Sequence, residues 1–190
     1  MTKRTELESP RWLLLFHQLP SQPAYLRVKV GRRLQGIGAI ALKNSVYALP
    51  TSETAQEDFQ WVRREIIEGG GDATIAEARM IEGLTDAEIE SRFRESKDAE
   101  YAEVTKEARE LRASYQKLRR PSEDERANAL LNVARLERRI ETIAVADFYG
   151  APGREVANGA VSELRSKASA VTTAAIAAPE PLAVALHGRT

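Results

Sequence analysis

The sequence predicts an α+β protein: a two-layer domain in the order β-α-β-β-α-β, then a long antiparallel helical hairpin and a short C-terminal helix. Three observations carry this reading. Residues 12–19 form an apolar run with almost no polar interruption. Residues 39–49 hold two shorter apolar runs separated by Lys43-Asn44-Ser45. From Asp86 onward apolar residues recur three and four apart amid dense Glu, Lys and Arg, which is the spacing of a helical seam.

Taken in order, residues 1–9 are polar and expected to be loose. Trp12, Leu13, Leu14, Leu15, Phe16 and Leu19 then read as a strand covered on both faces, hence central in its sheet, and Pro20 stops it. Ser21 can cap a helix that tolerates Pro23 in its first turn, with Leu26, Val30, Leu34 and Ile37 as its buried stripe. Residues 39–42 and 46–49 form a hairpin in which Asn44 can take a positive φ. Thr51 or Ser52 caps a second helix with Ala55, Phe59, Val62 and Ile66 facing inward; Trp61 falls off that stripe, and Gly69-Gly70-Gly71 ends the helix. Residues 73–81, with Glu77 and Arg79 among apolar neighbours, read as a half-exposed edge strand.

In the helical part, Tyr101, Val104, Ala108, Leu111, Tyr115 and Leu118 make one seam, and Ala129, Val133, Leu136, Ile140 and Ile143 make a second. Arg119-Arg120-Pro121 separates them, and Ser122-Glu123-Asp124-Glu125 reads as a capping box. A further helix is expected from Glu155 to about Ala168, followed by an Ala-, Thr- and Pro-bearing tail. The organisation is therefore a sheet domain over 10–83, a helical extension over 84–168 and a flexible tail over 169–190. The two seams offer more apolar surface than a two-helix hairpin covers, which predicts a dimer.

Composition narrows the chemistry. The chain has no cysteine and two histidines, His17 and His187, so thiolate chemistry is excluded and no histidine-rich metal site is expected. Its 28 basic and 28 acidic residues balance, but unevenly: residues 1–50 hold 8 basic against 2 acidic, and residues 51–150 hold 16 against 23. A basic face is expected on the first half. No secretory leader or 18-residue apolar span is read, which predicts a cytoplasmic protein without a membrane partner.

The most specific pieces of the chain are Trp12-Leu13-Leu14-Leu15, Leu19-Pro20, Leu26-Arg27-Val28, Arg32, Gly38-Ala39, Val46-Tyr47-Ala48-Leu49-Pro50 and Gly70-Gly71-Asp72-Ala73. With them the sequence resembles the N-terminal domain of the ChrB chromate-resistance regulators over residues 11–150. More distantly it is similar to the middle domain of the PaaX-type phenylacetate-pathway repressors. The resemblance implies a ferredoxin-like fold for the sheet domain and chromate-linked control of transcription. Two departures stand out: Gly31 occupies a position where the family often has Trp, and the chain ends where many members continue into a second domain.

Four cations on the first helix, Arg27, Lys29, Arg32 and Arg33, are the candidate binding residues for DNA or an oxyanion, because guanidinium forks match phosphates and tetrahedral anions. The competing reading is a solvated outer face. Arg119, Arg120, Arg135, Arg138 and Arg139 form another positive group, surrounded by acids and read as ion pairs. His17 is either a pH-sensitive or catalytic imidazole or a core or edge histidine donating to a backbone carbonyl. Small CRISPR-associated nucleases have a similar element order but place an aspartate at the end of the first strand; here that place reads His17-Gln18-Leu19-Pro20, with no carboxylate to hold a metal. Gly69-Gly70-Gly71 follows a helix and precedes a strand, the reverse of a phosphate loop, so no cofactor is expected.

The function expected is a non-enzymatic, dimeric transcriptional regulator in chromate resistance, with promoter DNA and chromate as partners. The alternative is a protein–protein assembly module that touches no DNA.

Overall fold

The computed structural model describes residues 11–22, 24–118 and 121–173. It is an α+β structure with four strands and five helices. They are β1 (Trp12–Gln18), α1 (Ala24–Gly36), β2 (Ile40–Lys43), β3 (Val46–Pro50), α2 (Glu53–Glu68), β4 (Asp72–Ala78), α3 (Asp86–Lys117), α4 (Glu123–Val145) and α5 (Gly153–Thr173). The chain divides into two compact units. The first runs to Glu100 and also takes in Thr142–Gly153; the second comprises Tyr101–Glu141 and the chain from Arg154 onward.

In the first unit the strands form one antiparallel sheet in the order β2-β3-β1-β4. β1 pairs on one side with β3, Leu14 facing Ala48, and on the other with β4, Leu14 facing Ala76. It is central, as its unbroken apolar run requires. Leu13 and Leu15 point to one face and join Leu26, Val30 and Leu34 of α1 and Phe59, Val62 and Ile66 of α2 in the larger core. Trp12 and Leu14 point to the other, where they meet Ile40, Leu42, Ala48, Ile89 and Phe93. The first turns of α3 therefore belong to the sheet unit.

The caps follow the sequence closely. Ser52, extended at φ −159° and ψ 162°, accepts a hydrogen bond from the Ala55 N–H at 3.0 Å and starts α2. Gly70 at φ 82° turns the chain after that helix. A Cβ on the next glycine, Gly71, would lie 2.7 Å from the Gln18 carbonyl oxygen, so the backbone can approach β1 only without a side chain there. Ser122 and Glu125 make the expected capping box: the Ser122 N–H donates to Glu125 Oε2 at 2.7 Å, and the Glu125 N–H to Ser122 Oγ at 3.2 Å. A second box, Thr85 with Glu88, starts α3. Its sequence, Thr85-Asp86-Ala87-Glu88, has the same form.

Several expectations need correction. Asn44 does not use a positive φ, since among the described residues only glycines do; the hairpin instead takes up its geometry in a register shift between Ala41 and Lys43. β4 ends at Ala78 rather than at 81, because Ala78 pairs with Trp12, the first residue of β1, and among the described residues no strand is left for residues 79–81 to pair with; Ile81 lies in solvent. Trp61 finds no apolar cover; the Arg64 guanidinium lies over its ring at 4.5 Å and over half the side chain stays exposed. α5 runs to Thr173, past its expected end near Ala168. Pro23, Arg119, Arg120, His187 and the tail beyond residue 173 lie outside the described residues.

In the second unit α3, α4 and α5 bury their seams together. Tyr101, Val104 and Ala108 of α3, Ala129, Val133 and Leu136 of α4, and Ala157, Leu164 and Ala168 of α5 are all buried. Polar links tie the three: Asn132 Nδ2 donates to the Tyr115 hydroxyl at 3.0 Å, Arg112 pairs with Glu163 at 2.5 Å, and Arg165 pairs with Glu137. α5 covers part of the apolar surplus from which the sequence predicts a dimer, and Leu111 and Leu118 stay half-buried.

Candidate functional site

α1 sits on the sheet by its Leu26-Val30-Leu34 stripe, which turns Arg27, Lys29, Arg32 and Arg33 outward, all of them exposed. They do not form one cluster. Five residues of helix put Arg27 and Arg32 about 140° apart around the axis, and the two line different clefts. Lys29 and Arg33 face α2 instead. The Lys29 ammonium is 2.5 Å from Glu65 Oε1, a bond that raises its pKa. Burial pushes the Asp58 carboxyl up, and the charge of Arg33 pulls it partly back. Among the described residues no ion pair is made by Arg27 or Arg32, so these two carry the outward charge.

Arg27 borders a cleft of about 550 Å³ where the end of β1, the hairpin turn and α1 converge. His17 and Gln18 come from β1, Gly31 and Val30 from α1, and Asn44, Ser45 and Tyr47 from the hairpin. Sequence reasoning missed this cleft, because its walls are set by the register of β1 against β3, in which Leu15 faces Tyr47. Arg32 borders a smaller cleft of about 250 Å³ whose wall includes Lys97. Lys97 is 3% exposed and is held by Glu100, Nζ to Oε1 at 2.7 Å.

His17 stacks on Tyr47, ring centres 5.6 Å apart and planes 25° from parallel. Its backbone N–H donates to the Ser45 carbonyl at 2.9 Å, but its side-chain Nδ1 is buried and has no hydrogen-bond partner among the described residues. The expected side-chain bond to a backbone carbonyl is therefore not made. Burial lowers the imidazole pKa below its ordinary 6.5. The unfolded chain takes up a proton near that value while the folded chain resists it, so stability is complete above about pH 6.5 and falls as the pH drops through it. The expected result is a loss of unfolding free energy between about pH 7 and pH 5 that disappears in His17→Phe. A wild-type curve flat over that range in urea unfolding would contradict the assignment.

Two members of the second arginine group form ion pairs: Arg135 and Arg139 both bind Glu107, at 2.5 and 3.2 Å, which lowers the Glu107 carboxyl pKa. No helix among the described residues is long and apolar enough to cross a membrane.

Fold and site together define an α+β domain with a basic helix laid on one face of a four-stranded antiparallel sheet. The chain belongs to the family described as "Protein ChrB, N-terminal", whose model matches residues 27–179. The match begins at Arg27 and so includes all four cations of α1; it leaves out β1 and reaches through α5. A curated relative, Protein ChrB of Cupriavidus metallidurans, is 26% identical over 138 residues, which is 73% of this chain and 40% of that protein. The chain thus spans about two fifths of the length of the relative it matches. No solved structure matches.

Proposed function

We propose that this protein is a non-enzymatic regulator that takes part in chromate-responsive control of a chromate-resistance operon, and that α1 contacts the DNA backbone through Arg27 and Arg32. Family membership supports the chromate link, and a ferredoxin-like fold for the sheet domain is supported by its element order and its strand order of β2-β3-β1-β4. The observation that carries the DNA reading is the pair of exposed arginines on opposite flanks of α1, without ion pairs among the described residues. Their separation suits an extended polyanion better than one small oxyanion, since no single four-oxygen ion reaches both flanks.

If both arginines contact phosphates, Arg27→Ala and Arg32→Ala each weaken binding to any DNA sequence. Each flattens the dependence of log K on log salt by about one unit, with no change in melting temperature. Fluorescence anisotropy with promoter DNA between about 50 and 200 mM salt measures this. Variants as tight as the parent over that range would sink the DNA reading. The assembly-module alternative is favoured by one specific observation: Tyr25 and Val28 on α1 and Trp61 and Ile67 on α2 leave large apolar side chains in solvent.

A further inference from the structure

The cleft beside Arg27 has features that a contact to the DNA backbone does not use. Among the described residues its walls carry no carboxylate to oppose the Arg27 charge. Asn44, Ser45 and Gln18, whose side chains carry amides and a hydroxyl, line the same space, and Tyr47 and Val30 give it an apolar side. The Tyr47 ring is braced by the His17 imidazole stacked on it. Gly31 lies at the helix wall, and a Cβ built there meets no atom within 4 Å, so the space continues to the α1 backbone. At about 550 Å³ the cleft falls within the size range of small-molecule sites.

The geometry points to a binding site for a small organic anion, an aryl carboxylate, with its carboxylate on Arg27 and its flat body between Tyr47 and the Gly31 stretch of α1. An inorganic tetrahedral ion fits poorly. It would meet one guanidinium and leave the apolar wall wetted, whereas an aryl acid uses both the charge and the wall. One arginine matches one carboxylate by paired N–H donors, and the neighbouring amides and hydroxyl can orient the group. The site shares Arg27 with the DNA reading but does not rest on it, because the cleft lies on one flank of α1 and Arg32 on the other.

Isothermal titration of the full chain with 1-naphthoate, with its neutral carboxamide and with inorganic phosphate tests the inference. The expected result is saturable binding of 1-naphthoate with a Kd of about 1 mM or tighter, and binding of the carboxamide and of phosphate at least about tenfold weaker. Arg27→Ala weakens naphthoate by at least about tenfold, and Arg32→Ala leaves it unchanged. Gly31→Trp fills the cleft while keeping every cation of α1, so it abolishes naphthoate binding without removing a DNA contact. That variant separates a failure of this inference from a failure of the DNA reading. Should Gly31→Trp not fold, Gly31→Leu, with circular dichroism as the fold control, gives the same comparison. The proposal is overturned by any of three results: no naphthoate binding by the parent, equal affinity in Arg27→Ala, or phosphate binding as tightly as naphthoate.

Discussion

Trp12→Ala is expected to cost about 3 to 5 kcal/mol of unfolding free energy, the range for deleting a buried aromatic ring. Trp12 has no exposed surface, stacks on Phe93 with ring centres 5.9 Å apart, and lies 6.3 Å from the Tyr149 ring. Its indole N–H donates to Asp86 Oδ1 at 2.7 Å, and Arg11 holds the other oxygen of the same carboxylate at 3.2 Å. The hydrogen bond is the smaller part. Asp86 is one third exposed, so water replaces the indole when it is lost, and the bond contributes about 1.5 kcal/mol, the low end for a bond to a charged group. Trp12→Phe, which keeps a ring and loses the donor, should therefore cost clearly less than Trp12→Ala. Urea unfolding at constant slope measures both. A Trp12→Ala cost below about 1 kcal/mol would mean that the second face of the sheet is not a packed core.

A fragment ending at residue 83 is expected not to fold cooperatively. It keeps all four strands, α1 and α2, and loses Ile89, Phe93 and Tyr149, which cover Trp12, Leu14, Ile40 and Leu42. Uncovering four large apolar side chains forfeits about 1.5 to 3 kcal/mol each. The sum, on the order of 6 to 12 kcal/mol, matches the whole net stability of an ordinary domain. The measurement is thermal unfolding by circular dichroism together with dye binding to exposed apolar surface. A fragment that melts in one sharp transition at the temperature of the full chain would show that α3 and residues 148–149 are not needed by the sheet.

The parts legible in the sequence were those set by periodicity and punctuation. The stripe of Ala55, Phe59, Val62 and Ile66 is buried as its spacing requires, and the unbroken run of Trp12 to Leu15 is central because both faces are occupied. The cover of the second face was not legible, since Tyr149 follows the last turn of α4 and nothing local in Phe148-Tyr149-Gly150 points to Trp12. For the site, helical geometry alone separated Arg27 from Arg32. It gave no sign that Lys29 is taken up by Glu65, nor of the cleft, whose walls come from three elements brought together by strand register.

The discontinuous make-up of the sheet unit has a consequence for synthesis on the ribosome. Tyr149, which packs beside Trp12, is made about 140 residues after it and is among the last residues of that unit. At roughly 5 to 20 residues per second the interval between them is on the order of ten seconds. For that time one side of the nascent sheet lacks its full cover: Ile89 and Phe93 become available first and Tyr149 last. The charged flank of Arg11, and later Asp86 and Glu90 on the first turns of α3, are the residues that border it while it waits.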